Sequence, residues 1–199
     1  WMKLTSTEIE NLIQAGLLHD VGKTKVSLSI LNKETVLSHE EFAEMKKHTI
    51  WGYEMLSDSS EIDEEVKLVA LLHHERFDRT GYPYQAGGPF INLPARIIAV
   101  ADVYDAMTSE RVYKKKLTPF EAFDMFSSSG MTMFDPLVTR TFLTNIYPFY
   151  IGASVVLNSG DTGRIVHIPP YDLTDPIVDV NSNLVDLSKE KHLRITSVG

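Results

Sequence analysis

The 199-residue sequence contains no cysteine, which excludes a disulfide framework, thiolate zinc ligands and a cysteine nucleophile. It also lacks any apolar run of the roughly 20 residues that a membrane-spanning helix requires, and it shows no signal-peptide pattern. Positive charge is in the minority: the formal net charge of −8 argues against binding to a DNA or RNA polymer. These absences favour a cytoplasmic protein. The negative net charge does not exclude a small anionic substrate, because bound metals can supply positive charge locally.

Helical signals dominate the first two-thirds of the chain. Capping boxes at residues 5–8, 38–41 and 118–121 each predict the start of a helix. Gly22 is placed to end the first helix, and the second is predicted to continue through His48 to Met55. Further helices are predicted at three places: residues 62–74, Pro94 through Asp105, and from Asp135-Pro136 onward.

The pattern changes near residue 148. Short alternating or β-branched runs predict strands over residues 153–157, 163–168, 177–180 and 192–196. Residues 158–161 have the composition of a hairpin turn between the first two. The sequence therefore predicts a mainly α protein: a helical bundle over residues 1–147 and a small β-rich C-terminal domain over residues 148–199.

Histidines and aspartates gather at the ends and inner stripes of the predicted helices. The residues concerned are His19, Asp20, His48, His73, His74 and Asp102. Each histidine alone could be structural, but several buried imidazoles clustered without a metal would be costly. Nitrogen and carboxylate ligands from different helices are the usual way in which a bundle builds a two-metal centre. Taken together, these residues favour a metal site.

Four segments, in order and at matching separations, resemble the motifs of HD-GYP phosphodiesterases. They are His19-Asp20-Val21-Gly22-Lys23, His73-His74-Glu75-Arg76-Phe77-Asp78, Gly81-Tyr82-Pro83 and the run from Ala101 to Ser109. The resemblance continues through Arg111-Val112-Tyr113-Lys114 and covers roughly residues 5–145. A lone Gly-Tyr-Pro is merely a turn, but four motifs in register form a specific signal. The resemblance implies an HD-type helical bundle.

The resemblance also implies an activity and a ligand set. The expected reaction is hydrolysis of the bacterial second messenger cyclic di-GMP to linear pGpG or GMP, through a water activated by two divalent metals. Asp20 would bridge the metals, with His19 and Asp102 on one and His48, His73 and His74 on the other. The metals are expected to be iron or manganese, which suit nitrogen and oxygen ligands.

Further roles follow from the same resemblance. Lys23 joins Asp20 as a catalytic residue, since its ammonium would stabilise charge on the phosphate and the leaving oxygen. Taken alone, it would be a solvated lysine at a helix end. The residues expected to contact substrate are Lys23, Gly81, Tyr82, Pro83, Arg111 and Lys114. Tyr82 would stack on a guanine, and the planar guanidinium of Arg111 suits phosphates and bases.

The family has an upstream helix that supplies one more histidine and, in some members, a glutamate for a third metal. Nothing before Thr5 supplies either, so the chain is expected to lack that helix and to follow an upstream sensory module. A homodimer is also among the expected partners. Two alternatives stay open: a His-Asp hydrolase of another nucleotide, and a catalytically weak cyclic di-GMP receptor.

Overall fold

The computed structural model describes residues 1–110 and 116–199 of the chain. Helices occupy most of the chain before residue 150, and a five-stranded antiparallel sheet follows, which confirms the predicted fold class. The α-helices are, in chain order, α1 (Ser6–Leu18), α2 (Leu28–Leu31), α3 (His39–Lys46), α4 (His48–Ser57), α5 (Glu64–Leu72), α6 (Leu93–Thr108), α7 (Pro119–Ser127), α8 (Gly130–Met133) and α9 (Pro136–Ile146). Short 3-10 turns occupy Val21–Lys25, Gly88–Phe90 and Tyr147–Tyr150.

The capping signals read from the sequence form as expected. Thr5, Ser38 and Thr118 are the N-caps of α1, α3 and α7, and each closes a reciprocal capping box with a glutamate three residues later. The carboxylate of Asp135 accepts hydrogen bonds from the first amides of α9. These local bonds satisfy amides that would otherwise lack a partner, which is why the helix starts could be predicted.

Two helix boundaries differ from the prediction. Helix α1 ends at Leu18, before Asp20, and Gly22 lies inside the following 3-10 turn. The helix predicted to run past His48 is divided at Lys47 into α3 and α4. There the Met45 carbonyl accepts a hydrogen bond from the ring of His48, and this side-chain bond accompanies the tightened turn.

The C-terminal strands form one antiparallel sheet in the order β4-β3-β2-β1-β5. Their bounds are β1 (Ser154–Leu157), β2 (Thr162–His167), β3 (Ile177–Val180), β4 (Asn183–Asp186) and β5 (Ile195–Val198). The predicted hairpin turn joins β1 to β2. The sequence prediction missed β4 and placed the last strand, β5, about three residues too early.

The chain folds into two compact units: residues 1–103 with 132–138, and residues 104–131 with 139–199. In the first unit, the core brings together Ala15 of α1, Val69 of α5 and Ala95 of α6, all fully buried. In the second, the sheet packs its buried face against Phe120 and Phe123 of α7. Across residues 1–110 and 116–199, no helix has the length and apolarity to span a membrane.

Candidate metal centre

The ends of helices position the predicted ligands. His19 caps the C-terminus of α1, and Asp20 follows it directly. His73 caps the C-terminus of α5 and His74 is the next residue, while His48 opens α4. Asp102 lies on α6. All six residues belong to the first unit, and helix ends from distant parts of the sequence therefore meet at one place.

Gly22 allows this convergence. A Cβ atom at this position would collide with the backbone carbonyl of His48 and would lie 2.5 Å from the backbone nitrogen of Gly52. The 3-10 turn after α1 can therefore press directly against the first turn of α4. This close approach brings Asp20 beside the ring of His48.

The ligand atoms lie close enough together to share one metal site. One atom each from Asp20, His48, His73 and His74 lie within 4.8 Å of one another. The Oδ1 atom of Asp20 is 3.3 Å from Nε2 of His48 and 3.6 Å from Nε2 of His73. The structure thus brings together four of the six predicted ligands as one compact group.

His19 and Asp102 adjoin this group. Nε2 of His19 lies 3.4 Å from Oδ2 of Asp20 and 3.9 Å from Oδ1 of Asp102. The His19 ring also meets the ring of His73 edge-on, with centroids 5.0 Å apart. The other five predicted ligands therefore lie around Asp20, on two sides.

Backbone hydrogen bonds set the tautomers of three histidines. Nδ1 of His19, His48 and His73 lies 2.8 Å, 2.8 Å and 3.0 Å from the carbonyl oxygens of Gly16, Met45 and Val69, respectively. A carbonyl oxygen only accepts, so each Nδ1 carries the proton, and Nε2 of the neutral ring presents a lone pair. The three Nε2 atoms point toward Asp20. This backbone support is typical of histidines that bind a metal through the other nitrogen.

The charges in the cluster favour an ionised carboxylate at Asp20 beside neutral rings of His73 and His74. Burial alone would raise the pKa of Asp20, but the adjacent imidazoles of His19, His48 and His73 and the ammonium of Lys23 outweigh it and hold the pKa far below its usual range. Burial, together with His73 and His48, lowers the pKa of His74 well below its ordinary value. Burial also lowers the pKa of His73, whose ring is fully enclosed. At neutral pH, Asp20 is therefore ionised, while His73 and His74 are neutral.

Two buried atoms of the cluster are left without a hydrogen-bond partner among the described residues: Nε2 of His19 and Oδ1 of Asp20. In addition, Nε2 of His48 and Nε2 of His73 lie 3.4 Å apart, and the backbone bonds give both of them lone pairs. Lone pairs and an anionic oxygen directed at one another need a cation between them. The donor set of imidazole nitrogens and carboxylate oxygens fits a divalent transition metal.

The Gly-Tyr-Pro segment lies against the same cluster. The ring of Tyr82 stacks on His74, with centroids 4.8 Å apart and an interplanar angle of 28°. A Cβ at Gly81 would come within 2.5 Å of the Cα of Glu75 and of the His74 carbonyl oxygen, so the loop approaches the ligand segment as only glycine allows. The Tyr82–Pro83 peptide bond is cis. Tyr82 is thereby held at the edge of the histidine cluster.

Lys23 also reaches the cluster. Its Nζ lies 2.5 Å from Oδ2 of Asp20, and the side chain is 36% exposed. The ammonium thus lies between the carboxylate and the solvent. Arg111 and Lys114, predicted to contact substrate, lie outside the described residues.

Sequence reasoning missed three residues beside the site. Glu75 is buried, and its Oε1 accepts a hydrogen bond of 2.7 Å from the amide of Tyr84, which ties the loop after Pro83 to the ligand segment. Phe42 meets Tyr82 edge-on, and Lys46 lies over both rings. The four-residue spacing of Phe42 and Lys46, which ends two residues before His48, was the available signal.

Comparisons with known proteins agree with this geometry. Residues 2–138 match the HD domain family. The chain is 42% identical, over 83% of its length, to a cyclic di-GMP phosphodiesterase of Pseudomonas aeruginosa, of which it covers 40%. It is 35% identical, over 70% of its length, to a 3′3′-cGAMP-specific phosphodiesterase of Vibrio cholerae, of which it covers 27%. The chain therefore spans well under half the length of these relatives.

A solved structure of an HDG"Y"P protein from Bdellovibrio bacteriovorus has a similar fold, with a TM-score of 0.55. The identity is 21%, and the match covers 68% of this chain and 43% of the other. This likeness supports a common HD-type fold. The match to the HD domain family is what implies divalent metal binding. With its family match over residues 2–138, its His19-Asp20 pair and its Gly81-Tyr82-Pro83 loop, the chain belongs to the HD domain family and to the HD-GYP group within it.

Proposed function

We propose that the chain carries the active site of a metal-dependent phosphodiesterase that hydrolyses cyclic di-GMP to linear pGpG or GMP. The observation that carries this proposal is the convergence of three Nε2 lone pairs on the ionised carboxylate of Asp20, next to a Tyr82 ring stacked on His74. The 42% identity to a relative named for the same reaction supports the choice of substrate.

The geometry supports two metal positions that share Asp20. His48, His73 and His74 surround Oδ1 of Asp20, while His19 lies between Asp20 and Asp102. Iron or manganese is the proposed metal, and the imidazole and carboxylate ligands are consistent with either. When bound, the cations supply positive charge for the phosphate and lower the pKa of a nucleophilic water. A third metal belongs to the same proposal.

The residues of the chain would share the remaining work. The carboxylate of Asp20 would be shared by the two groups of ligands. The ammonium of Lys23 would stabilise the negative charge that develops on the phosphate and the leaving oxygen. Tyr82 would stack on a guanine, while Gly81 and Pro83 shape the loop that presents it. Arg111 and Lys114 remain proposed substrate contacts on the basis of their sequence positions alone.

The experiment is a turnover assay on the protein loaded with iron or manganese, with products separated by chromatography. Conversion of cyclic di-GMP to pGpG or GMP is expected, and it should stop when a chelator removes the metal. Absence of turnover with both metals would overturn the proposal. An intact-fold control, such as an unchanged circular dichroism spectrum, separates a true negative from a damaged preparation.

A second candidate substrate is 3′3′-cGAMP, because the V. cholerae relative at 35% identity is named for that specificity. Parallel assays at equal concentrations of the two cyclic dinucleotides decide between them, and the larger kcat/KM identifies the preferred substrate. A receptor that binds cyclic di-GMP without cleaving it is the weaker alternative, since the cluster keeps all six predicted ligands. Tight binding without turnover would favour it.

The proposal extends to the context of the site. Every described residue assigned to the chemistry precedes Val103, and every buried residue in 151–199 is apolar. We therefore assign the hydrolase to residues 1–147. For residues 148–199 we propose a structural or partner-contact role. Because the chain spans 40% of the P. aeruginosa relative, an upstream sensory module fits. A homodimer and a cytoplasmic location, where the messenger acts, complete the proposal.

A further inference from the structure

Lys46 is held beside the metal cluster in an unusual way. Its Nζ lies 4.9 Å from the centre of the Phe42 ring and 5.6 Å from the centre of the Tyr82 ring, both within the range of a cation–π contact. Tyr82 in turn stacks on His74. The ammonium of Lys46 therefore lies near the same aromatic ring that contacts the histidine cluster.

Other lysines of the same region are paired with carboxylates. Lys23, Lys33 and Lys47 lie 2.5 Å, 2.5 Å and 2.6 Å from carboxylate oxygens of Asp20, Glu41 and Glu44, respectively. For Lys46, in contrast, the described part of the chain provides no carboxylate oxygen within ion-pair distance. Its charge faces ring surfaces, which accept no conventional hydrogen bond, so its three N–H donors stay available for an anion.

The surroundings favour an anion that arrives with a ligand. Phe42 is 45% exposed although it packs on Tyr82, so this end of the site is open to solvent. The two rings restrict the flexible lysine stem in advance, which reduces the entropy lost when the ammonium binds. An immobilised, half-buried cation without a carboxylate partner has the character of a subsite for a phosphate.

The chemistry of a cyclic dinucleotide calls for such a subsite. The molecule has two phosphodiesters, and only one can occupy the reacting position at the metal cluster at a time. The second keeps its full negative charge and lies further out. We propose that Lys46, positioned by Phe42 and Tyr82, binds this second, uncleaved phosphodiester; the inference rests on the proposed cyclic dinucleotide activity. Lys46 then sets affinity for the cyclic substrate rather than the rate of bond cleavage.

The test compares Lys46→Met and Lys46→Arg with Lys47→Met, a matched control one residue away whose ammonium is paired with Glu44. Each metal-loaded variant is assayed on cyclic di-GMP and on bis(p-nitrophenyl) phosphate, which has a single phosphodiester. For Lys46→Met we expect a rise in KM for cyclic di-GMP of about tenfold or more, with a much smaller change in kcat. Lys46→Arg should recover most of the affinity, and Lys47→Met should resemble the wild type.

Two further readouts separate binding from structural damage. The KM of Lys46→Met should depend less on salt concentration than that of the wild type, because one charge contact has been removed. Its loss in kcat/KM on cyclic di-GMP should exceed its loss on the single phosphodiester by about tenfold. Equal losses on both substrates, or a KM equal to that of Lys47→Met, would overturn the inference. If Lys46→Met does not fold, Lys46→Gln replaces it in the same comparison.

Failure of the proposed function gives a different result. In that case the wild type cleaves bis(p-nitrophenyl) phosphate but neither cleaves nor binds cyclic di-GMP, as measured by calorimetry. Failure of the inference alone leaves wild-type turnover of cyclic di-GMP intact and makes the Lys46 and Lys47 variants indistinguishable.

Discussion

The helical part of the chain and its C-terminal sheet bury different kinds of side chain. Between residues 48 and 75 the structure encloses His48, Thr49, His73 and Glu75, each at most 2% exposed. In residues 151–199, every buried residue is apolar, with Val155, Ile165 and Val178 at its centre. Burial of polar groups is unfavourable unless partners or ligands compensate it. In the first region, hydrogen bonds to His48 and His73 offset part of this cost, and a bound metal would offset the rest. In the second region the buried side chains are apolar and need no such compensation.

Removal of the central carboxylate should have the largest effect. Asp20→Ala deletes the oxygen atoms around which the other five predicted ligands are arranged. We therefore expect kcat/KM for the phosphodiester substrate to fall by more than about 100-fold, beyond the loss that outer-shell partners alone cause. Steady-state kinetics on the metal-loaded protein measure it. Asp186→Ala, in the sheet, is the matched control and should keep normal activity. More than a tenth of the activity remaining in Asp20→Ala would contradict the assignment.

A large core deletion in the sheet should show the opposite pattern. Ile165 is fully buried, and Ile165→Ala should lower the free energy of unfolding by about 3 kcal/mol, through lost burial and a residual cavity. Urea denaturation measures this loss, while kcat of the folded fraction should equal that of the wild type. A change in kcat at urea concentrations below the unfolding transition would show that the sheet contributes to the chemistry. The contrast drawn between the two regions would then be wrong.

Substitution of two glycines tests the comparison between the two regions, because each substitution adds only one Cβ atom. A Cβ at Gly22 meets the backbone of His48 and Gly52, which cannot rotate away, so Gly22→Ala should cost about 2–3 kcal/mol of stability and displace Asp20. Gly160, in the turn between β1 and β2, has a φ of 91° and open space around it, so Gly160→Ala should cost about 1 kcal/mol through backbone strain.

Thermal unfolding and activity assays measure both glycine variants side by side. Only Gly22→Ala should lose activity in the folded state. Equal activities of the two folded variants would show that the close approach of the 3-10 turn to α4 does not position Asp20.

The last prediction concerns a buried ion pair away from the cluster. Nη1 of Arg96 lies 2.6 Å from Oδ2 of Asp135, and the amides of Leu137 and Val138 donate to Oδ1. Burial raises the pKa of Asp135, but Arg96 and the two amides outweigh it, so the pKa lies below its ordinary value. The stabilisation is therefore fully present above the unfolded-state pKa of about 3.9 and is lost as the pH falls through the lower folded-state value.

Asp135→Asn keeps the capping oxygen but removes the charge. At pH 7 we expect it to lower the free energy of unfolding by about 2 kcal/mol, and this difference from the wild type should shrink as the pH falls below about 4. Urea unfolding over a pH series provides the measurement. A difference that stays constant down to the lowest pH at which both proteins fold would contradict the role given to the ion pair.

Local signals made much of the fold predictable. The capping boxes at Thr5, Ser38 and Thr118 use bonds between residues three apart, so the sequence contains both partners. Strand β4 escaped prediction because it has only four residues and none of them is fully buried, although the left-handed residues Asn181 and Ser182 before it are typical of a tight hairpin turn. The periodicity of apolar residues alone cannot detect a strand that buries so little side-chain surface.

The candidate site was predictable in its ligands but not in its surroundings. Histidine and aspartate are conspicuous residue types, and their motifs lie in order along the chain. The contacts of Glu75 with Tyr84, and of Lys46 with Tyr82, depend instead on how a distant loop folds back over the cluster. Such tertiary contacts have no signature in the spacing of the residues that make them.

The most direct test of the metal centre is elemental analysis of the protein purified without added metal, set beside Asp20→Ala and the sheet variant Asp186→Ala. We predict that the wild type and Asp186→Ala contain iron or manganese and that Asp20→Ala has lost most of it, since both ligand groups meet at that carboxylate. Equal metal content in the wild type and Asp20→Ala, or no transition metal in the folded wild type after iron and manganese are supplied, would contradict the account.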